Sequence, residues 1–160
     1  MNIDAALRKL GDLERSLADL YLWYSEVFSS DSEAAFAFFK MSSEEKGHAS
    51  LVEYQRRMVQ KNAETSFDLD IDLASIEAAL ERVKVLRSSP GIPTVDDALR
   101  ETLLMERSAA ESHYRNALKS ASPEMGRLLD ALGGEDRLHV TRVSELARRR
   151  GITLPEPAAD

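Results

Sequence analysis

The chain has 160 residues, a net charge of -7 and 43% hydrophobic residues, a composition typical of one globular domain. The acidic balance argues against a nucleic-acid-binding surface. The absence of cysteine excludes disulfides, zinc–thiolate sites and cysteine nucleophiles. No uncharged apolar stretch has membrane length, and the start does not resemble a signal peptide, so we expect a single cytoplasmic domain over residues 1–160.

Helical periodicity predicts a hairpin of two long helices in the first part of the chain. The first helix spans residues 3–28. Its apolar stripe, at three- and four-residue steps, is expected to face inward and consists of Leu7, Leu10, Leu17, Tyr21, Tyr24 and Phe28. Ser29-Ser30-Asp31-Ser32 ends it and offers N-caps for a second helix over residues 33–61. The residues expected to face inward in the second helix are Phe38, Met41, Val52 and, as a further candidate, Leu51.

A long connection, residues 62–93, leads to a second pair of helices and includes a short amphipathic segment at about residues 73–87. Thr94 is the expected N-cap of the third helix, residues 94–120. The fourth helix is predicted over residues 123–150, with Pro123 as its first helical residue and Gly151 as its stop signal. A tail over residues 151–160 follows it. Short turns within each pair and one long crossover between them predict an all-α, ferritin-like four-helix bundle.

Two acid–histidine pairs stand out on these helices, and each has the spacing Glu/Asp-x-x-His. Glu45 precedes His48 by three residues, and Asp136 precedes His139 by three, so each pair shares one helix face. These residues fall at positions where the apolar pattern calls for a core side chain. Two lone glutamates, Glu14 and Glu106, interrupt the apolar stripes in the same way. Buried unpaired carboxylates are costly, which favours a pair of divalent cations at this level of the bundle.

The turn positions provide an independent check, because residues at the same height on an antiparallel hairpin are equidistant from its turn. The midpoint of Glu14 and Glu45 falls within Ser29-Ser30, and the midpoint of Glu106 and Asp136 falls at Ala121. Glu135 also precedes His139, by four residues, but the leucine register of the fourth helix favours Asp136 as the inward acid.

This pattern resembles the di-iron carboxylate proteins of the ferritin-like superfamily, most closely the rubrerythrins, over all four helices. Tyr21 and Tyr114 match tyrosines of the first and third helices, and the resemblance implies that they lie beside the metal ligands. Three departures are visible: Asp136 is shorter than the usual Glu, Ala109 stands where rubrerythrins carry a further carboxylate, and no cysteine-ligated rubredoxin module is present. The implied metal ligands are Glu14, Glu45, His48, Glu106, Asp136 and His139.

Four carboxylates and two imidazoles form an oxygen-rich site that suits two iron ions, or manganese, better than copper or zinc. Glu45 and Glu106 are expected to bridge the metals, with Glu14 and Asp136 terminal. The resemblance implies an oxidase or peroxidase acting on peroxide or oxygen, a separate electron-donor protein, no membrane partner, and a homodimer or small homo-oligomer. The alternatives are a ferroxidase and iron-storage protein, or a metal-free structural bundle with a buried polar network.

Overall fold

The computed structural model describes residues 3–61, 72–119 and 123–155, except for the side chains of residues 110–119 and Met125. Within these residues the chain is all-helical, with five α-helices and no strand. The helices are α1 (Ile3–Val27), α2 (Ser32–Lys61), α3 (Leu73–Ser88), α4 (Val95–Lys119) and α5 (Pro123–Arg149). Each observed helix end lies within one residue of the position expected from the sequence. Residues 62–71 of the crossover, Tyr114 as a side chain, and the tail beyond residue 155 lie outside the described part.

Local hydrogen bonds explain where the helices start and stop. The amide of Ala34 donates to Asp31 Oδ1 at 3.1 Å, so Asp31 caps the start of α2. The amide of Asp97 donates to the hydroxyl of Thr94 at 3.1 Å, as expected for the cap of α4. Gly151 ends α5 with a φ of 67°, in the left-handed region that glycine adopts at little cost.

The helices pair as two antiparallel hairpins. Near the open end of the first hairpin, Arg56 of α2 donates to Asp4 of α1 at 2.8 Å. Closer to the turn, Ser42 donates to the carbonyl of Ala18 at 2.7 Å. In the second hairpin, Arg100 near the start of α4 donates to the carbonyl of Thr153, just beyond α5, at 3.0 Å. Contacts between α2 and α5 join the hairpins into a helical bundle, and α3 lies against α1.

The core confirms most of the predicted inward positions. Leu7, Leu10, Leu17, Tyr21, Tyr24 and Phe28 of the first helix are buried, as are Phe38, Met41 and Val52 of α2. Leu51 is the exception, because 48% of its surface is exposed. It lies next to Val52 but about 100° around the helix from it, on the solvent side. The inward prediction for Leu51 was wrong.

Across the described parts of the chain, none of the helices has both the length and the apolar character required to cross a membrane.

Candidate metal centre

The six side chains singled out from the sequence are all buried in the middle of the bundle, and none is more than 4% exposed. They come from four different helices: Glu14 from α1, Glu45 and His48 from α2, Glu106 from α4, and Asp136 and His139 from α5. Each occupies a position in the apolar stripe of its helix, so the same periodicity that buries the leucines turns these acids and imidazoles inward.

The first group of potential ligands consists of Glu14, Glu45 and His48. Each residue places one ligand atom within 4.8 Å of the others. His48 Nδ1 lies 3.0 Å from Glu45 Oε2 and 3.6 Å from Glu14 Oε2. All three side chains belong to the α1–α2 hairpin, so this group is built within one half of the fold.

The second group contains Glu45, Glu106, Asp136 and His139, again with ligand atoms within 4.8 Å of one another. His139 Nδ1 lies 3.0 Å from Glu45 Oε1 and 3.1 Å from Glu106 Oε2. Glu45 therefore belongs to both groups and uses a different oxygen toward each histidine. The imidazole rings of the two histidines stack with centroids 5.8 Å apart. The two groups form one continuous polar centre that crosses from one hairpin to the other.

The geometry distinguishes the predicted roles. Of Glu45 and Glu106, the two residues expected to bridge, only Glu45 is part of both groups. On α5, Asp136 is 2% exposed and belongs to the centre, whereas Glu135 is exposed to solvent. The shorter aspartate still brings a carboxylate oxygen within ligand distance of its three neighbours, and Glu135 is not part of the centre.

Without bound cations, the histidines compensate the carboxylates. Burial lowers the pKa of His48, but Glu14 and Glu45 outweigh it and raise that pKa to about 10. For His139 the pKa rises to about 11, because Glu106 and Glu45 outweigh the effect of burial. Burial raises the pKa of Glu106. In the metal-free centre the neighbouring carboxylates therefore favour the imidazolium forms of His48 and His139.

One buried atom of this network lacks a hydrogen-bond partner among the described residues. Glu45 Oε1 is inaccessible to solvent, and although His139 Nδ1 is 3.0 Å away, the contact does not have hydrogen-bond geometry. A buried carboxylate oxygen without a donor is unfavourable. The oxygen faces the second group of ligands, so a cation held there would satisfy it.

Tyr21 lies beside the centre, as the sequence suggested. Its hydroxyl donates to Glu106 Oε1 at 2.5 Å, and both residues are buried. Burial and the neighbouring carboxylates of Glu106 and Glu45 hold the pKa of Tyr21 well above its ordinary value. The tyrosine therefore remains a hydrogen-bond donor and fixes one oxygen of Glu106. The second tyrosine implied by the resemblance, Tyr114, has its side chain outside the described residues.

No family model matches the chain, and comparisons with curated proteins and with solved structures give no match. The resemblance to rubrerythrins therefore rests on the ligand pattern in the sequence alone.

Two residues that were not predicted from the sequence, Glu44 and Arg142, form a contact at Nε2 of His139, the ring nitrogen opposite the carboxylates of Glu45 and Glu106. Glu44 Oε2 lies 3.0 Å from His139 Nε2, and Arg142 binds both oxygens of Glu44, at 2.6 and 3.3 Å. Burial raises the pKa of Glu44, but Arg142 and His139 more than compensate and lower it below the usual value. A carboxylate on the outer nitrogen of a metal-binding histidine fixes the orientation of the ring. The sequence signal was limited to Arg142, three residues after His139 on the same face of α5.

Proposed function

We propose that this chain is a ferritin-like, dinuclear metal protein similar to the rubrerythrins, which reduces peroxide or oxygen. The observation that carries the proposal is the convergence of six buried ligand residues in two overlapping groups joined by Glu45. Two carboxylate-rich groups that share one glutamate correspond to the ligand arrangement of di-iron carboxylate proteins.

The residues fit two divalent cations in charge and in chemistry. Four buried carboxylates balance the charge of two divalent ions once both histidines are neutral, which is the form that binds metal. The unsatisfied Glu45 Oε1 gains a partner at the same time. A set of carboxylate oxygens with one imidazole per group favours iron, with manganese as the second choice.

When bound, two ferrous ions supply two electrons to a small oxidant such as hydrogen peroxide or oxygen. The protein's own residues position the ligands and limit access. Glu44 orients His139, and Tyr21 orients Glu106. The ligands are almost completely buried, which favours an oxidant of a few atoms over a large substrate. The chain contains no cysteine, so we expect electrons to come from a separate donor protein.

The proposal is tested by anaerobic titration of the metal-free protein with ferrous iron, followed by addition of peroxide or oxygen. We expect two ions bound per chain and rapid loss of peroxide. Asp136→Ala should reduce both iron binding and the rate of peroxide loss. Glu135→Ala is the matched control, because Glu135 is the exposed neighbour of Asp136, and this change should affect neither quantity. A wild-type protein that binds no iron would refute the proposal.

The same experiment separates peroxide reduction from iron storage. Retention of many ferric ions per chain after oxidation would contradict the proposal and indicate a ferroxidase that stores iron, whereas release of the oxidised product with two ions bound per chain would support it.

A further inference from the structure

The solvent face of α2 carries a row of exposed aromatic and aliphatic side chains. Phe36, Phe39, Leu51 and Tyr54 are 68%, 56%, 48% and 62% exposed. These four account for half of the eight large hydrophobic side chains that are exposed among the described residues. Ser43 and Gly47 lie between them on the same face. We call these six residues the α2 stripe. The α2 stripe thus consists of two exposed apolar pairs separated by two small residues, and exposed apolar side chains grouped on one helix face are a candidate interaction surface.

The α2 stripe is nearly palindromic, because similar types of residue occur at equal distances on either side of residue 45. Its residues fall in pairs equidistant from residue 45, namely Phe36 with Tyr54, Phe39 with Leu51, and Ser43 with Gly47. In two antiparallel α2 helices that cross at residue 45, each such pair lies at the same height. Aromatic and aliphatic side chains would then meet at both ends, and the small residues would lie at the crossing point. A surface that matches itself in this way is what a two-fold interface between identical chains requires.

Charges along α2 follow the same symmetry. Glu33 and Arg57 are equidistant from residue 45, as are Glu44 and Lys46. Within residues 32–58, every pair of different positions at the same height that carries two charges has opposite signs; Glu45 falls opposite its own copy at the crossing point but is buried inside its own chain. Opposite charges at matching heights favour the antiparallel register, because like charges facing each other would oppose it.

Gly47 makes no packing contact that would require a glycine among the described residues of a single chain. A Cβ atom added at this position would meet nothing within 4 Å. Glycine in a helix interior is unfavourable, and alanine would fit the monomer equally well. Close approach of a second helix backbone would explain the glycine, because small residues at a crossing point allow two helices to pack tightly.

We infer that the α2 stripe is the two-fold interface of a homodimer of this chain. The four large side chains expose on the order of 400 Å² per copy, since an aromatic residue covers about 150–250 Å². Together with the polar positions between them, two copies approach the roughly 1,200 Å² of the smaller stable interfaces. A groove of about 520 Å³ runs beside Tyr54, between α1 and α2, and its charged lining, which includes Arg15 and Glu53, would form part of the polar rim of this interface. This inference does not depend on the metal.

Light scattering coupled to gel filtration tests the interface. We expect the wild-type protein to be a dimer and Leu51→Lys to raise the dissociation constant at least tenfold. Leu104→Lys is the matched control, because Leu104 is 49% exposed on α4, which packs against α5 and α3, and this change should leave the dimer intact. Circular dichroism checks that both variants fold. A monomeric wild-type protein, or equal effects of the two substitutions, would overturn the inference.

Cysteine cross-linking tests the antiparallel register, since the natural chain has no cysteine. We expect the double variant Phe36→Cys/Tyr54→Cys to form covalent dimers on mild oxidation, much faster than either single variant. Single variants that cross-link as fast as the double variant would contradict this register.

Discussion

The substitution Glu14→Leu tests whether the centre needs cations to offset its buried charge. Glu14 is 2% exposed and lies between leucines on the inner face of α1. In the metal-free protein we expect the leucine variant to be more stable than the wild type. In the metal-bound protein the same change should remove a ligand of the first group and lower the iron content from two ions per chain to one.

The size of the effect follows from the surroundings of Glu14. Replacement of both partners of a buried ion pair by well-packed hydrophobic residues is neutral or stabilises a protein by about 1–4 kcal/mol, whereas removal of one partner costs about 3–5 kcal/mol when the other charge is left unpaired. His48 is not left unpaired in this variant, because its Nδ1 remains 3.0 Å from Glu45 Oε2. We therefore expect the free energy of unfolding to rise by at most about 4 kcal/mol, and for a chain of this size each kcal/mol raises Tm by roughly 2–4 °C.

Urea denaturation after chelator treatment, followed by circular dichroism, measures this change, and elemental analysis measures the metal content. Glu26→Leu is the control, since Glu26 is exposed on the same helix and should affect neither quantity. The prediction fails if the metal-free Glu14→Leu protein is clearly less stable than the wild type. That result would mean that Glu14 does not lower the free energy of unfolding when metal is absent.

Three further predictions concern the centre. In the metal-free protein the pKa values of His48 and His139 are raised from the ordinary 6.5 to about 10 and about 11. The stabilisation of the folded state by these two groups is therefore complete below pH 6.5 and is lost as the pH rises toward 11. Thermal melts that show a rising Tm over that pH range would contradict this prediction. Tyr21→Phe should lower the free energy of unfolding by about 1.5–3 kcal/mol in urea titrations, because a buried hydrogen bond to Glu106 is lost, and an unchanged midpoint would argue against that bond. Glu44→Ala should weaken metal binding at the second group by roughly 10–100-fold in calorimetric titrations, because His139 loses its orienting carboxylate, and an equal loss at both groups would exclude this role.

The sequence predicted the helices well because each boundary has a local signal. Asp31, Thr94 and Gly151 act at the positions where their chemistry suggested a cap or a stop. The ligand residues could also be placed, because helical periodicity fixes which face a residue occupies and the distance to the turn fixes its height. Two local rules thus located side chains that are up to 125 residues apart in the chain.

Other features depend on contacts that no local pattern encodes. Leu51 is the immediate neighbour of the buried Val52. When two adjacent residues of a helix are both apolar, the sequence does not show which of the two faces the core. Glu44 binds a histidine 95 residues away, and in the sequence it is adjacent to a second glutamate, Glu45, that fits the acid-x-x-His spacing instead. Recognition of such a residue requires the three-dimensional arrangement of α2 and α5.

The division of the centre between the two hairpins has a consequence for how the protein matures. Glu14, Glu45 and His48 come together as soon as α1 and α2 pair, and those helices leave the ribosome before α4 is made. Three of the four residues of the second group arrive later, on α4 and α5, and they need Glu45 from the first half to complete it. If the centre binds two cations as proposed, loading during synthesis would be sequential, and an ion captured early by the first hairpin would hold Glu45 in place while the second half assembles around it.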